Sequence, residues 1–157
     1  MLDSDYFGTY TYTNSFYESG RYLTNNAGIV LTTVRDVKKS RNEKYVILDA
    51  GINMMGIRQY CYRLYQPFLY SFYTNRDKES QIFVGPTCTT IDNVHEAFDF
   101  DKLEIDDVIA ITEAGSYLLS YSPLFFCGQE IPREVLVDKQ QNIYVNKIGV
   151  DYYRIDK

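Results

Sequence analysis

The sequence predicts an all-β domain, a β-sandwich or Greek-key barrel with one or two short helices. Short apolar runs rich in β-branched and aromatic residues recur between turn residues, the pattern of sandwiches and barrels. Tyrosine is abundant, 16 against 9 Phe and no Trp, and such residues suit half-buried pleated strands. The 157 residues are enough for one domain with a real core.

The elements follow in order. Residues 1–17 are rich in Tyr, Thr and Ser and read as an extended or irregular lead-in, with the domain proper at 18–157. Gly28 to Val34 reads as a strand, and Lys38 to Lys44 as a polar hairpin loop. Tyr45 to Asp49 is a second strand, closed by Gly51. Ile52 to Tyr65 fits no single pattern. Leu69 to Tyr73 is a third strand and Asn75 to Ser80 a polar loop. Gln81 to Pro86 is a fourth strand, stopped by its proline. Thr87 to Phe100 is mixed, with room for a helical turn. Val108 to Thr112 is a further strand, and Ala114 to Tyr117 breaks it ahead of a short helix. Glu134 to Asp138 and Ile143 to Val145 form a hairpin around Lys139 to Asn142, and Arg154-Ile155 closes the sheet.

Charge and composition exclude several functions. Lys and Arg number 16, Asp and Glu 21, so the net charge is −5. The short cluster Lys38, Lys39 and Arg41 is no basic stripe, and nucleic acid is not an expected partner. No apolar run approaches the roughly 20 residues of a membrane span, and the acidic, polar start does not resemble a signal peptide. Three widely spaced Cys do not make a disulfide framework, which favours a reducing cytoplasm. The single histidine, His95, excludes chemistry that needs several, and it reads as exposed or capping. The acidic run Asp99, Asp101, Glu104, Asp106 and Asp107 lacks the glycine and spacing of an EF-hand. It reads as a solvated connection, and no metal is expected.

Four segments carry more specific information: Glu18-Ser19-Gly20-Arg21-Tyr22, Asp49-Ala50-Gly51, Val84-Gly85-Pro86-Thr87-Cys88-Thr89-Thr90-Ile91-Asp92, and Glu113-Ala114-Gly115-Ser116-Tyr117. In this order they resemble the C-terminal half of the PLP-dependent decarboxylases of the ornithine/diaminopimelate/arginine class, over roughly residues 18 to 138. Pro132 to Val137 resembles that family's closing strand. The resemblance implies a β-domain that completes the site of an N-terminal (β/α)8 barrel, often across a homodimer. A barrel of about 250 residues does not fit ahead of Glu18, so the Schiff-base lysine is expected on a separate domain or subunit. Alone, the chain is expected to be inactive.

Family positions then imply roles. Glu18 faces the pyridine nitrogen of PLP and keeps it protonated, so that the ring acts as an electron sink. Arg21 and Tyr117 approach the cofactor phosphate or the substrate as donors. Cys88 helps protonate the carbanion left when CO2 departs, a role suited to a thiol with an ordinary pKa of about 8.5. Asp92 lies near the distal end of the small-molecule substrate. Thr89 departs from members acting on diamino acids, which place a carboxylate there for the distal ammonium. Cys-Thr-x-x-Asp and the run Ser120 to Phe126 resemble instead the branch acting on carrier-protein-bound glutamate. Ser19 replaces a proline, and Gln66 stands where the family often has His. Cys61 and Cys127 match no catalytic position and read as packing. The aromatic run Tyr60 to Tyr73 is the expected docking surface. The departures leave one alternative open, a non-catalytic binding or regulatory module that kept the fold. Metabolically the resemblance points to amino-acid, polyamine or lysine pathways.

Overall fold

A computed structural model describes residues 20–60, 68–147 and 153–155. Helix α1 (Gly20–Thr24) leads through a 3-10 turn (Asn25–Ala27) into β1 (Val30–Ser40). Next come β2 (Glu43–Leu48), helix α2 (Ile52–Tyr60), β3 (Leu69–Ser71), β4 (Lys78–Val84), β5 (Asn93–Asp101) and β6 (Val108–Ile111). The six strands form one sheet in the order β3-β6-β1-β2-β4-β5, curled into a nearly closed barrel. A second sheet follows, formed by β7 (Arg133–Val137), β8 (Ile143–Lys147) and β9 (Tyr153–Ile155). The all-β prediction therefore holds, with two short α-helices among the described residues.

The curl depends on β1, an 11-residue strand shared by both halves. Val30 to Thr33 pair with β6, and Val34 to Ser40 pair with β2. The register slips between Val34 and Asp36, so Arg35 is an inserted residue that bends the strand. The expected loop over 38–44 contracts to Arg41-Asn42, both at positive φ (50° and 67°). That geometry is a type I′ turn, whose twist matches the flanking strands. β2 and β4 are parallel, which requires a crossover, and α2 lies within it.

The barrel interior is filled by Val34, Val46, Leu48, Phe83, Ile109 and Ile111, all buried, with Met55 of α2 and Leu103. Phe83, Phe98 and Phe100 stack with centroids 5.3–5.5 Å apart. Buried Gln81 is fully used. Its amide nitrogen donates to the Phe100 and Asp101 carbonyls, at 3.1 and 3.0 Å, and its oxygen accepts from Leu103 N–H at 3.3 Å.

Two sequence readings need correction. Residues 93–101 are a strand, not a mixed segment with a helical turn. Val94 and Phe100 are buried, but the register with β4 slips twice and Glu96 and Ala97 are exposed, so the alternation is broken, and charge on an edge strand blocks unwanted pairing. The acidic run is not uniformly solvated, because Asp107 is buried. Its carboxylate takes both Arg76 guanidinium nitrogens and the Glu104 N–H, the last at 2.7 Å. Tyr73 completes the knot, its ring 4.2 Å from the Arg76 guanidinium and its hydroxyl accepting from Val108 N–H at 3.0 Å.

Burial works against charge on Asp107, but the hydrogen bonds from Arg76 and Glu104 outweigh it, and the carboxyl lies below its ordinary range. A depressed folded pKa contributes stability above the unfolded carboxylate pKa, lost as pH falls through the folded value. Asp107→Asn is expected to cost about 1–3 kcal/mol at neutral pH. The gap from the parent should close in acid, where both side chains are neutral. Urea unfolding at a series of pH values checks this, and a constant gap would contradict it.

Candidate functional site

The motif Gly85 to Asp92 is a compact loop between β4 and β5 with a buried carboxylate at its centre. Asp92 Oδ1 accepts from the Ile52 N–H at 2.8 Å. Asp92 Oδ2 accepts from the Thr87 N–H at 2.8 Å and from the Thr87 hydroxyl. The backbone closes the loop, with Gly85 N–H donating to Asp92 O at 3.0 Å and Asp92 N–H to Thr89 O at 3.1 Å. Two glycines make room for this carboxylate. A Cβ on Gly51 would lie 2.4 Å from Asp92 Oδ1, and one on Gly85 would lie 2.1 Å from it. This explains why glycine ends the Asp49-Ala50-Gly51 segment and opens Gly85-Pro86-Thr87. Asp49 has its own task, accepting from the Thr32 hydroxyl and the Thr33 N–H at 2.7 and 2.8 Å.

The loop walls a cavity of about 570 Å³. Ile47, Ile82 and Val84 form an apolar floor, on the face of β2 and β4 opposite the buried pair Val46 and Phe83. The wall carries Thr87, Cys88, Thr89 and Thr90. Asp92 is the one ionisable carboxyl lining it among the described residues, and its oxygens already accept the donors above. The cavity thus offers hydroxyls and a thiol. Cys88 is exposed.

A second group forms where residues 113–117 cross the α1 segment. Gly115 N–H donates to Asn25 O, and Ala114 N–H to Gly28 O, at 2.9 and 2.8 Å. A Cβ on Gly115 would stand 1.8 Å from Thr24 O, and one on Gly28 would stand 2.6 Å from Gly115 N. Asn25 adds side-chain bonds to Glu113 and Ser116, at 3.1 and 3.3 Å. This contact puts the Arg21 guanidinium 5.5 Å from the centre of the Tyr117 ring. Tyr117 holds φ at 58°, a left-handed conformation that costs a non-glycine residue about 1 kcal/mol or more. A cation and a phenol, 96 residues apart in sequence, present donors side by side. That donor chemistry suits a phosphate.

The model for the pyridoxal-dependent decarboxylase C-terminal sheet domain matches residues 10–115. The chain belongs to this family. Relatives of the sheet domain include an L-glutamyl acyl-carrier-protein decarboxylase of Niallia circulans, 32% identical over 126 residues, covering 76% of this chain and 29% of that protein. A diaminopimelate decarboxylase of Methanocaldococcus jannaschii is 32% identical over 127 residues, covering 81% and 28%. The solved structure of a diaminopimelate decarboxylase from M. jannaschii with L-lysine superposes with a TM-score of 0.72 at 29% identity, covering 80% of this chain and 28% of that one. The chain therefore spans under a third of these relatives. The family and the carrier-protein likeness read from the motifs both stand.

The structure groups the expected site residues in two places. Arg21 and Tyr117 meet, and Cys88, Thr89 and Asp92 share one loop. Glu18, Ser19, Cys61 and Gln66 lie outside the described residues. Cys127 corrects the packing reading, since its side chain is exposed and its sulfur is 4.0 Å from Cys88 Sγ. It sits at φ 56° in a 3-10 turn (Phe126–Gly128), followed by Gly128 at 65°. Nothing local in the sequence signals that contact. The bonds of Thr87 to Asp92 were equally silent in the sequence.

Gly85→Ala should destabilise the sheet domain by about 3 kcal/mol or more, because its Cβ must displace a hydrogen-bonded carboxylate. In Asp92→Ala the space is free, so the double variant should fall well short of the sum of the two single changes. Denaturation of the four proteins measures this, and additivity would refute the steric account.

Proposed function

We propose that this chain completes the active site of a PLP-dependent decarboxylase of an amino acid or amino-acid derivative. It acts with a PLP-binding (β/α)8 barrel domain or subunit, as a homodimer in a reducing compartment such as the cytoplasm, and is inactive alone. Cys88 carries the reading, an exposed thiol on a loop fixed by Asp92 and beside a cavity. The family match supports it.

When bound, the cofactor supplies an electron sink for the carbon that loses CO2. Arg21 would hold its phosphate by charge and Tyr117 by one hydroxyl hydrogen bond. Glu18 would be the carboxylate that keeps the ring nitrogen protonated. Cys88 keeps a proton at Sγ and delivers it to the substrate carbon after CO2 leaves. Asp92 positions Cys88 by fixing the loop, at the distal end of the substrate. Thr89 would meet that end with a hydroxyl, and among the described residues the one carboxylate lining the cavity, Asp92, is bonded to Ile52 and Thr87. A substrate without a distal cation fits better than a diamino acid, as with the glutamyl group named for the Niallia circulans relative.

The barrel has a fitting surface. Leu31, Ala110 and Tyr70 stand in register across β1, β6 and β3. Leu31 is 61% and Tyr70 56% exposed. Ile29 continues the row on one side, and Phe68 and Phe72 on the other, all exposed. Such an apolar strip across three strands suits a domain interface. Residues 68–72 belong to the aromatic run expected to dock, and residues 61–67 lie outside the described ones.

Joined to or co-produced with its barrel, the chain should decarboxylate a glutamyl thioester in preference to diaminopimelate. Cys88→Ala should lower kcat by about 10²–10⁴-fold, the usual size of a lost proton donor, and move KM far less. Steady-state kinetics decides, and unchanged kcat would refute the proton-donor role.

A further inference from the structure

The pairing of Cys88 with Cys127 has no part in the decarboxylation proposed above. The two are 39 residues apart in sequence and come from different loops, yet their sulfurs are 4.0 Å apart. Both side chains are exposed, so a small oxidant reaches either sulfur. The two sides differ in rigidity. Cys88 belongs to the loop locked by Asp92 through Ile52 and Thr87. Residues 125–128 are all exposed, Phe125 by 79%, and a Cβ on Gly128 would meet nothing. The Cys127 turn therefore has room to move by the roughly 2 Å that a bond of about 2.05 Å requires.

We propose that Cys88 and Cys127 are a redox-active dithiol, closed by hydrogen peroxide into an intramolecular disulfide that withdraws the Cys88 thiol from use. In the first step one thiolate attacks the peroxide, breaking its O–O bond. The sulfur becomes a sulfenic acid, and the hydroxide takes up the thiol's proton as water. The second sulfur then attacks the sulfenyl sulfur, the S–S bond forms, and the sulfenyl oxygen leaves as a second water. Two thiols and one peroxide give one disulfide and two waters, and an external dithiol reverses the change. A reversible bond of this kind is how disulfides serve as sensors in reducing compartments.

The disulfide rests on the geometry alone, whereas its effect on turnover rests on the role proposed for Cys88. Treat the reduced full chain with hydrogen peroxide, alkylate the remaining thiols, digest it and weigh the peptides. The expected result is a linked Cys88–Cys127 peptide lighter by two hydrogens, with Cys61 alkylated. Dithiothreitol should restore three alkylatable thiols, and Cys127→Ser should abolish the link. Absence of that peptide, a link through Cys61 or a link between chains would overturn the proposal. With the barrel present, peroxide should reversibly remove turnover from the parent but not from Cys127→Ser, whose basal rate should match the parent. A disulfide that forms while turnover persists would overturn the withdrawal of Cys88, and with it the proton-donor reading, while leaving the dithiol in place.

Discussion

A buried carboxylate organises the candidate site. Asp92 sits where side chains on Gly51 and Gly85 would stand, and it ties the start of α2 to the loop after β4. A buried charge is costly unless its lone pairs are filled. Here two backbone amides and a hydroxyl fill them, so the loop has little freedom to rearrange. Cys88 inherits its position from that constraint. Two motif segments that look independent along the chain, 49–51 and 84–92, are therefore parts of one packing solution.

The other crossing works by exclusion of atoms instead of charge. Gly28 and Gly115 let two backbone segments touch, and a methyl group on either would collide with peptide atoms. The contact sets α1 against residues 113–117 and brings Arg21 to Tyr117. Tyr117 holds a left-handed conformation there, and such strain persists where the surroundings over-determine it. Both halves of the site are thus built on glycines that admit something close, a carboxylate in one case and a peptide in the other.

The barrel provides the frame for both. The bulge at Arg35 lets β1 serve two neighbours, and the core from Val34 to Ile111 fixes where each loop leaves the sheet. One face of β3, β6 and β1 carries the exposed apolar side chains Leu31 and Tyr70 on either side of Ala110. The strip, the thiol beside a cavity and the Arg21–Tyr117 pair lie on a chain that spans under a third of the Niallia circulans and M. jannaschii relatives.

Much of this was legible in the sequence. Period-two runs and turn residues sufficed for most strands and for the hairpin around Lys139 to Asn142, because short-range physics decides them. The motif glycines and Cys88 were visible as spacing. What local sequence could not decide was contact at a distance. β5 was hidden because an edge strand carries charge in place of clean alternation, and Asp107 because Arg76, 31 residues earlier, neutralises it. The sequence by itself determined an all-β domain of the decarboxylase type, with its glycines and thiol in order. Only the tertiary structure decided that Asp92 is the buried anchor of the Cys88 loop, and that Cys127 faces Cys88. Both follow from chain crossings that bring residues 40 or more positions apart, or nearly so, within a few ångströms, and no local pattern encodes such a meeting.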